Sequence, residues 1–191
     1  MINLTSLDIT NKNLIIRVDM NVPIKDGIVA DASRIKACIP TIKLALENNA
    51  KVLLISHLGR PEEGKFEEKF SMKPVAESLS GIINQEVGLV DRLDSEDIFK
   101  SALNIQILEN IRFFKGEKAN DKDLGNTLGN LGDIYVFDAF GTAHREQAST
   151  HSAIEQSKIA CAGLLLEREI DFLTKALNDY QNPYVAIIGG A

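Results

Sequence analysis

Arg60, Arg112 and Arg145 each stand a few residues beyond a short apolar run, His57 occupies the same kind of position, and Arg34 opens an amphipathic stretch. A guanidinium donates through a planar fork that matches two oxygens of a phosphate or carboxylate at once. Several of them gathered in one place describe an anion site. The chain carries 21 Lys and Arg against 27 Asp and Glu, a formal net charge of −6, so such a cluster opposes the mean field of its own protein. Like charges at close range repel, and the cations need anionic company. That company is a ligand, or else nearby acids, of which Glu62, Glu109, Asp138 and Glu146 are at hand. Asp19 and Asn21, beyond the first apolar run, add an acceptor and a mixed donor and acceptor that suit a hydroxyl-bearing substrate. Taken alone, these two read first as turn formers ahead of Pro23. The acidic balance also argues against partners held by bulk positive charge, so no nucleic-acid or membrane partner is expected.

The elements that must position these residues follow from the apolar pattern. Runs at 14–18, 51–55, 86–90, 105–108, 134–137 and 184–188 are short and rich in β-branched residues, as befits strands buried on both faces of a parallel sheet. Between the first two, Ile35, Ile39, Ile42 and Leu46 recur at helical spacing, with Asp31 or Ser33 as N-cap and Pro40 either bending the helix or marking its start. Further helices are predicted over 74–83, 121–131 and 162–177. Alternating strand and helix predicts an α/β fold: a doubly wound, Rossmann-like parallel sheet with helices on both faces, in three layers. In such sheets ligands bind beyond the carboxyl ends of the strands, which is where the arginines and His57 fall.

Other chemistries lack their residues. Gly59 to Lys65 matches the front of a P-loop, but Phe66 stands where the metal-binding hydroxyl belongs and Glu62 and Glu63 would repel a phosphate. No GxGxxG fingerprint and no GxSxG elbow occurs. Cys38 and Cys161 lie far apart in stretches that read as helical, and are expected to be reduced core thiols. His57, His144 and His151 show no metal-ligand spacing. The first residues show no basic segment followed by an apolar one, and no apolar run nears the length of a membrane span. The cell interior is the expected location. A length of 191 residues suits one domain, or one domain plus a piece of another.

Taken together the loops resemble those of phosphoglycerate kinase. The resemblance runs in order through Arg17-Val-Asp-Met-Asn-Val-Pro23, Ser56-His-Leu-Gly-Arg-Pro61, Leu108-Glu-Asn-Ile-Arg-Phe113 and Asp138-Ala-Phe-Gly-Thr-Ala-His-Arg145. It implies two doubly wound domains, with 1–168 as the N-terminal domain that binds 3-phosphoglycerate, 169–183 as the connecting helix and linker, and 184–191 as the first strand of a nucleotide-binding domain. On that likeness the chain reads as stopping just as its second domain opens, able to bind substrate but not to catalyse. The implied reaction is reversible phosphoryl transfer between 1,3-bisphosphoglycerate and ADP, giving 3-phosphoglycerate and ATP, by a monomeric cytoplasmic enzyme that closes about a hinge. The resemblance assigns Asp19 and Asn21 to the substrate's hydroxyl and carboxylate end, and His57, Arg60, Arg112 and Arg145 to its 3-phosphate. Arg34 becomes the catalytic arginine aimed at the phosphoryl group in flight, and Gly190 and Ala191 begin the nucleotide site. Mg2+ with ADP or ATP would be bound by the C-terminal domain, with no metal ligand in this part. Glu146-Gln147 departs from the Ala-His that the family commonly carries there. The alternative is a stand-alone anion-binding α/β module without catalysis.

Overall fold

A computed structural model of the chain describes residues 1–93, 95–178, 185 and 187. Six parallel strands form the sheet: β1 (Asn13–Val18), β4 (Lys51–Ile55), β5 (Gly88–Val90), β6 (Ile105–Leu108), β7 (Ile134–Asp138) and β8 (Ala160–Ala162), in the order β5-β6-β4-β1-β7-β8. A small antiparallel pair, β2 (Ile24–Lys25) and β3 (Ile28–Val29), branches off after β1. The helices are α1 (Ser33–Glu47), α2 (Lys73–Ile83), α3 (Ser95–Lys100), α4 (Lys122–Gly129), α5 (Ala153–Gln156) and α6 (Leu164–Asn178).

The period of two along each strand divides its apolar side chains between two layers. Leu14, Ile16 and Val18 of β1 join Val52, Leu54, Ile105 and Val136 beneath α1 and α2. Ile15 points the other way, with Leu53, Ile55 and Tyr135, under α3, α4 and α5. Leu166 and Ile170 of α6 pack on Phe137 and Ala162 at the β8 end. The doubly wound, three-layer reading therefore holds. β1 connects outward to β4 on one side and β7 to β8 on the other, which makes the β1–β7 junction the place where a crevice opens at the carboxyl ends.

Several local expectations need correction. Helix α1 runs unbroken from Ser33 through Pro40, so the proline does not mark its start; Asp31 accepts the Ser33 backbone N–H at 2.8 Å and its hydroxyl at 2.5 Å, serving as the cap one residue outside the N-cap position, Ala32. The last helix begins at Leu164, because Ala160–Ala162 pairs beside β7 as a sixth strand. Cys161 is thus a strand residue; both thiols are buried and unbridged, as expected. The strand expected at 86–90 is confined to the edge at Gly88–Val90, and the one expected at 184–188 lies outside the described residues.

Candidate functional site

Because all six strands run the same way, the loops after β1, β4, β6 and β7 emerge at one end. They meet at Gly59. Its N–H donates to Asn21 Oδ1 at 2.9 Å, and its carbonyl accepts from Arg112 Nη1 at 2.5 Å. Asn110, which opens the short turn Ile111–Phe113, ties the same region further. Its amide donates to the carbonyls of Leu58 (2.7 Å) and Phe70 (2.9 Å), and its Oδ1 accepts from the Arg112 backbone N–H. Gly59 sits at φ +59°, and a Cβ there would collide with the Phe70 ring, so both the backbone and the space require glycine. Gly59→Ala is expected to cost about 1–3 kcal/mol of stability, since overpacking and left-handed strain act together. A urea midpoint unchanged from wild type would contradict this.

The P-loop look-alike is part of this framework. Glu63 accepts from the backbone N–H groups of Gly116 and Lys118, Gly64 N–H donates to the Phe113 carbonyl, and Lys118 Nζ donates to the Pro61 carbonyl. The segment latches the Arg60 loop to the loop that follows Arg112.

Each residue singled out from the sequence can now be placed. Arg34 Nη1 donates to Asp19 Oδ2 at 2.9 Å, with the arginine side chain 55% exposed. Asp19 Oδ1 accepts from the Asn21 N–H, so this pair does form a turn while also holding Arg34 and Gly59. His57 is buried at 3% exposure, and its pKa is pushed down to about 2, first by burial and then by Arg17, Arg112, Arg145 and Arg34. Arg17 Nη2 lies 3.4 Å from His57 Nδ1, and the other three arginines act on the ring through space. Arg112 is itself buried; burial and then Arg145 lower its pKa, and Arg60 contributes in the same sense. Its Nε is buried without a hydrogen-bond partner.

The acids proposed as company are committed elsewhere. Glu62 pairs with Lys65, and Glu109 accepts from Ser71 Oγ and the Met72 N–H at the start of α2. Asp138 accepts from Thr41 Oγ1 and the Leu166 N–H, and Glu146 from Asn120. Among the described residues no carboxylate forms an ion pair with Arg60, Arg112 or Arg145. Of the four arginines singled out, only Arg34 has such a partner among the described residues, and it is Asp19. The charges of Arg60, Arg112 and Arg145 are thus not neutralised by an ion pair among the described residues. A cleft of about 810 Å³ lies away from them, lined by Ile24, Phe66, Lys73, Glu77 and Leu89 among others.

Sequence reasoning passed over the layer beneath. Arg17, 1% exposed, points from β1 into the face that also holds Tyr135. It donates to Ser149 Oγ (2.9 Å), to the Val18 carbonyl and to His57 Nδ1 (3.4 Å). Ser149 in turn donates to the buried Glu117 through both its hydroxyl (2.6 Å) and its backbone N–H (2.9 Å). The signal for Arg17 was present, a charge inside an apolar strand run; Glu117 and Ser149 sit in polar loops that carry none. Gly190 and Ala191 lie outside the described residues. Among the described residues no group of three His, Cys, Asp or Glu side chains is placed to hold a metal ion, and no helix is long and apolar enough to cross a membrane.

The family model for phosphoglycerate kinase matches residues 4–191, nearly the whole chain. The chain belongs to the phosphoglycerate kinase family. Phosphoglycerate kinase from Desulfovibrio desulfuricans is 48% identical over 185 residues, covering 97% of this chain and 47% of that protein. The phosphoglycerate kinase of Legionella pneumophila is also 48% identical, over 100% of this chain and 48% of its own length. Among solved structures, phosphoglycerate kinase from Coxiella burnetii superposes with a TM-score of 0.86 at 44% identity, covering 95% of this chain and 46% of that one. The Pyrococcus horikoshii phosphoglycerate kinase gives 0.83 at 31% identity, covering 96% and 47%. The chain spans about half the length of the phosphoglycerate kinases it matches.

Proposed function

We propose that this chain is the phosphoglycerate-binding part of a kinase that transfers a phosphoryl group reversibly between 1,3-bisphosphoglycerate and ADP. The observation that carries the reading is the set of Arg60, Arg112 and Arg145 without acid partners, in a chain of this family. In this reading the three arginines take the 3-phosphate, with His57 as a neutral donor beside them. Asp19 and Asn21 take the hydroxyl and carboxylate end. Arg34, the exposed arginine held by Asp19, is the one free to follow the transferring group.

The chemistry asks little proton work of these residues. The oxygen of the acyl phosphate leaves as a carboxylate, and a β-phosphate oxygen of ADP, already anionic, forms the new P–O bond. Catalysis then rests on alignment and on stabilising spread negative charge. A histidine held neutral to about pH 2 suits hydrogen-bond donation and not proton shuttling. Magnesium, which shields phosphate charge in such reactions, finds no ligand set among the described residues, and with ADP or ATP it is assigned to the domain that residues 184–191, with Gly190 and Ala191, would begin. The domain limits 1–168 and 169–183 belong to the same proposal. Helix α6 crosses position 168 unbroken, with Leu166 buried in the core and Phe172, Leu173 and Leu177 exposed. Hinge closure, a monomeric state and a cytoplasmic location complete the reading.

Calorimetric titration with 3-phosphoglycerate tests it. Saturable binding is expected, absent with unphosphorylated glycerate and weakened about 10–100-fold in Arg60→Ala, the scale of a lost charge-assisted contact. A folded chain that binds glycerate as well as its phosphate ester would remove the arginines from the substrate site.

A further inference from the structure

The buried layer under the arginines has a chemistry of its own. Ser149 Oγ accepts the Nε–H of Arg17 and donates its hydroxyl hydrogen bond to Glu117 Oε1, so one hydroxyl joins a buried cation to a buried anion. Tyr135 OH donates to the Ser149 carbonyl at 2.6 Å, and the Ala148 N–H donates to the Glu117 carbonyl at 2.9 Å, so the residue is fixed from both sides. At the other end of the guanidinium, Nη2 lies 3.4 Å from His57 Nδ1. A guanidinium only donates, so Nδ1 must present its lone pair and the single ring proton belongs on Nε2. Among the described residues His57 Nε2 makes no hydrogen bond.

We propose that Glu117, Ser149 and Arg17 form a positioning unit that locks His57 as its Nε2–H tautomer, presenting one neutral donor to the phosphate held by the arginines. The proposal rests on the substrate reading above. It gives each member a distinct task. Arg17 selects the tautomer, Ser149 fixes the angle of the guanidinium, and Glu117 balances the charge that would otherwise sit unpaired in the sheet. It also joins the site's loops from beneath: Arg17 comes from β1, His57 follows β4, Glu117 follows β6, and Ser149 follows β7. The groups that act on the His57 ring are Arg17 from β1, Arg34 from α1, Arg112 from the turn after β6 and Arg145 from the loop after β7, and every one of them is a cation. Glu117 is joined to the ring by hydrogen bonds through Ser149 and Arg17.

The test is 15N NMR of the histidine side chains in the unliganded chain, with His57 assigned by its loss in His57→Asn. Wild type is expected to show a protonated Nε2 and an unprotonated Nδ1 that do not change between pH 5 and pH 8. Arg17→Met is expected to give a mixture of tautomers and a ring that titrates inside that window. Ser149→Ala, which removes one oxygen and keeps the fold if the methionine variant does not, is expected to broaden the tautomer preference and lower 3-phosphoglycerate affinity about tenfold. In both variants that affinity should acquire a pH dependence beyond the one that the ligand's own phosphate, with a second pKa of about 6, gives the wild type. A wild-type ring protonated on Nδ1, or ring resonances unmoved in both variants, would overturn the proposal. A wild-type chain that fails to bind 3-phosphoglycerate overturns the substrate reading instead, and the two failures are distinguishable because the ring is read without ligand.

Discussion

Replacing Arg34 with alanine, in an active enzyme that contains this chain, is expected to lower kcat by about three orders of magnitude while changing 3-phosphoglycerate affinity by no more than a few fold. An arginine that neutralises charge only as it develops on a transferring phosphoryl group is worth roughly that much. The asymmetry follows from placement. Arg34 is exposed and already paired with Asp19, so the ground state gains little from it; surface pairs of this kind contribute about 0–1 kcal/mol. Arg60, Arg112 and Arg145 lack acid partners and carry the binding in the proposed reading. Steady-state kinetics alongside equilibrium titration separates the two roles. Equal losses in turnover and affinity would make Arg34 one more binding residue.

The second large effect is on stability. Arg17→Met removes the cation joined to buried Glu117 through Ser149 and leaves only the weaker influence of Arg112; losing a buried charge partner costs up to about 3–5 kcal/mol. The deficit should shrink as the pH falls. Burial raises the Glu117 pKa, and Arg17 is the chief influence pulling it back. A carboxyl with a raised folded pKa binds more protons folded than unfolded, so stability is lost as pH rises from about 4.5 through the folded value, and without Arg17 that window widens. His57 works in the same direction. Its depressed pKa of about 2, to which Arg17 contributes after burial, costs the wild-type protein stability as pH falls below about 6.5. Losing Arg17 relaxes that penalty. Urea unfolding at pH 5 and pH 8 checks both signs, and a larger deficit at pH 5 would contradict the account.

Much of this arrangement was legible in residue order alone. Five of the six sheet strands are visible as β-branched runs, because a strand covered on both faces has no polar side to interrupt it. β8 escaped that rule. Ala160-Cys161-Ala162 is short, small and unbranched, and its strand state comes from pairing with Tyr135–Phe137 instead of from its own pattern. The β2–β3 hairpin did carry a signal that went unread: Asp26-Gly27, at φ 51° and 76°, is the tight-turn pair between Ile24-Lys25 and Ile28-Val29. In the site, Arg34, His57, Arg60, Arg112 and Arg145 were identifiable by type and by position after strands. Which acids they avoid was not, since Glu109 and Asp138 are drawn away by α2 and α6 through contacts that no spacing reveals.

The hydrogen bonds that build the site span long stretches of chain. Asn21 and Gly59 are 38 residues apart, Asn110 and Leu58 are 52, and Arg17 and Ser149 are 132. Closing such loops is entropically uphill until the strands between them have paired. The proposed anion site is therefore expected to form late in folding and to be lost early in unfolding. In the proposed reading, a phosphate ester bound there is expected to slow unfolding and to leave the refolding rate nearly untouched, as a ligand of a late-forming region does. Occupancy of the site becomes a kinetic lock on the native chain, set by four loops that have nothing in common until the sheet is complete.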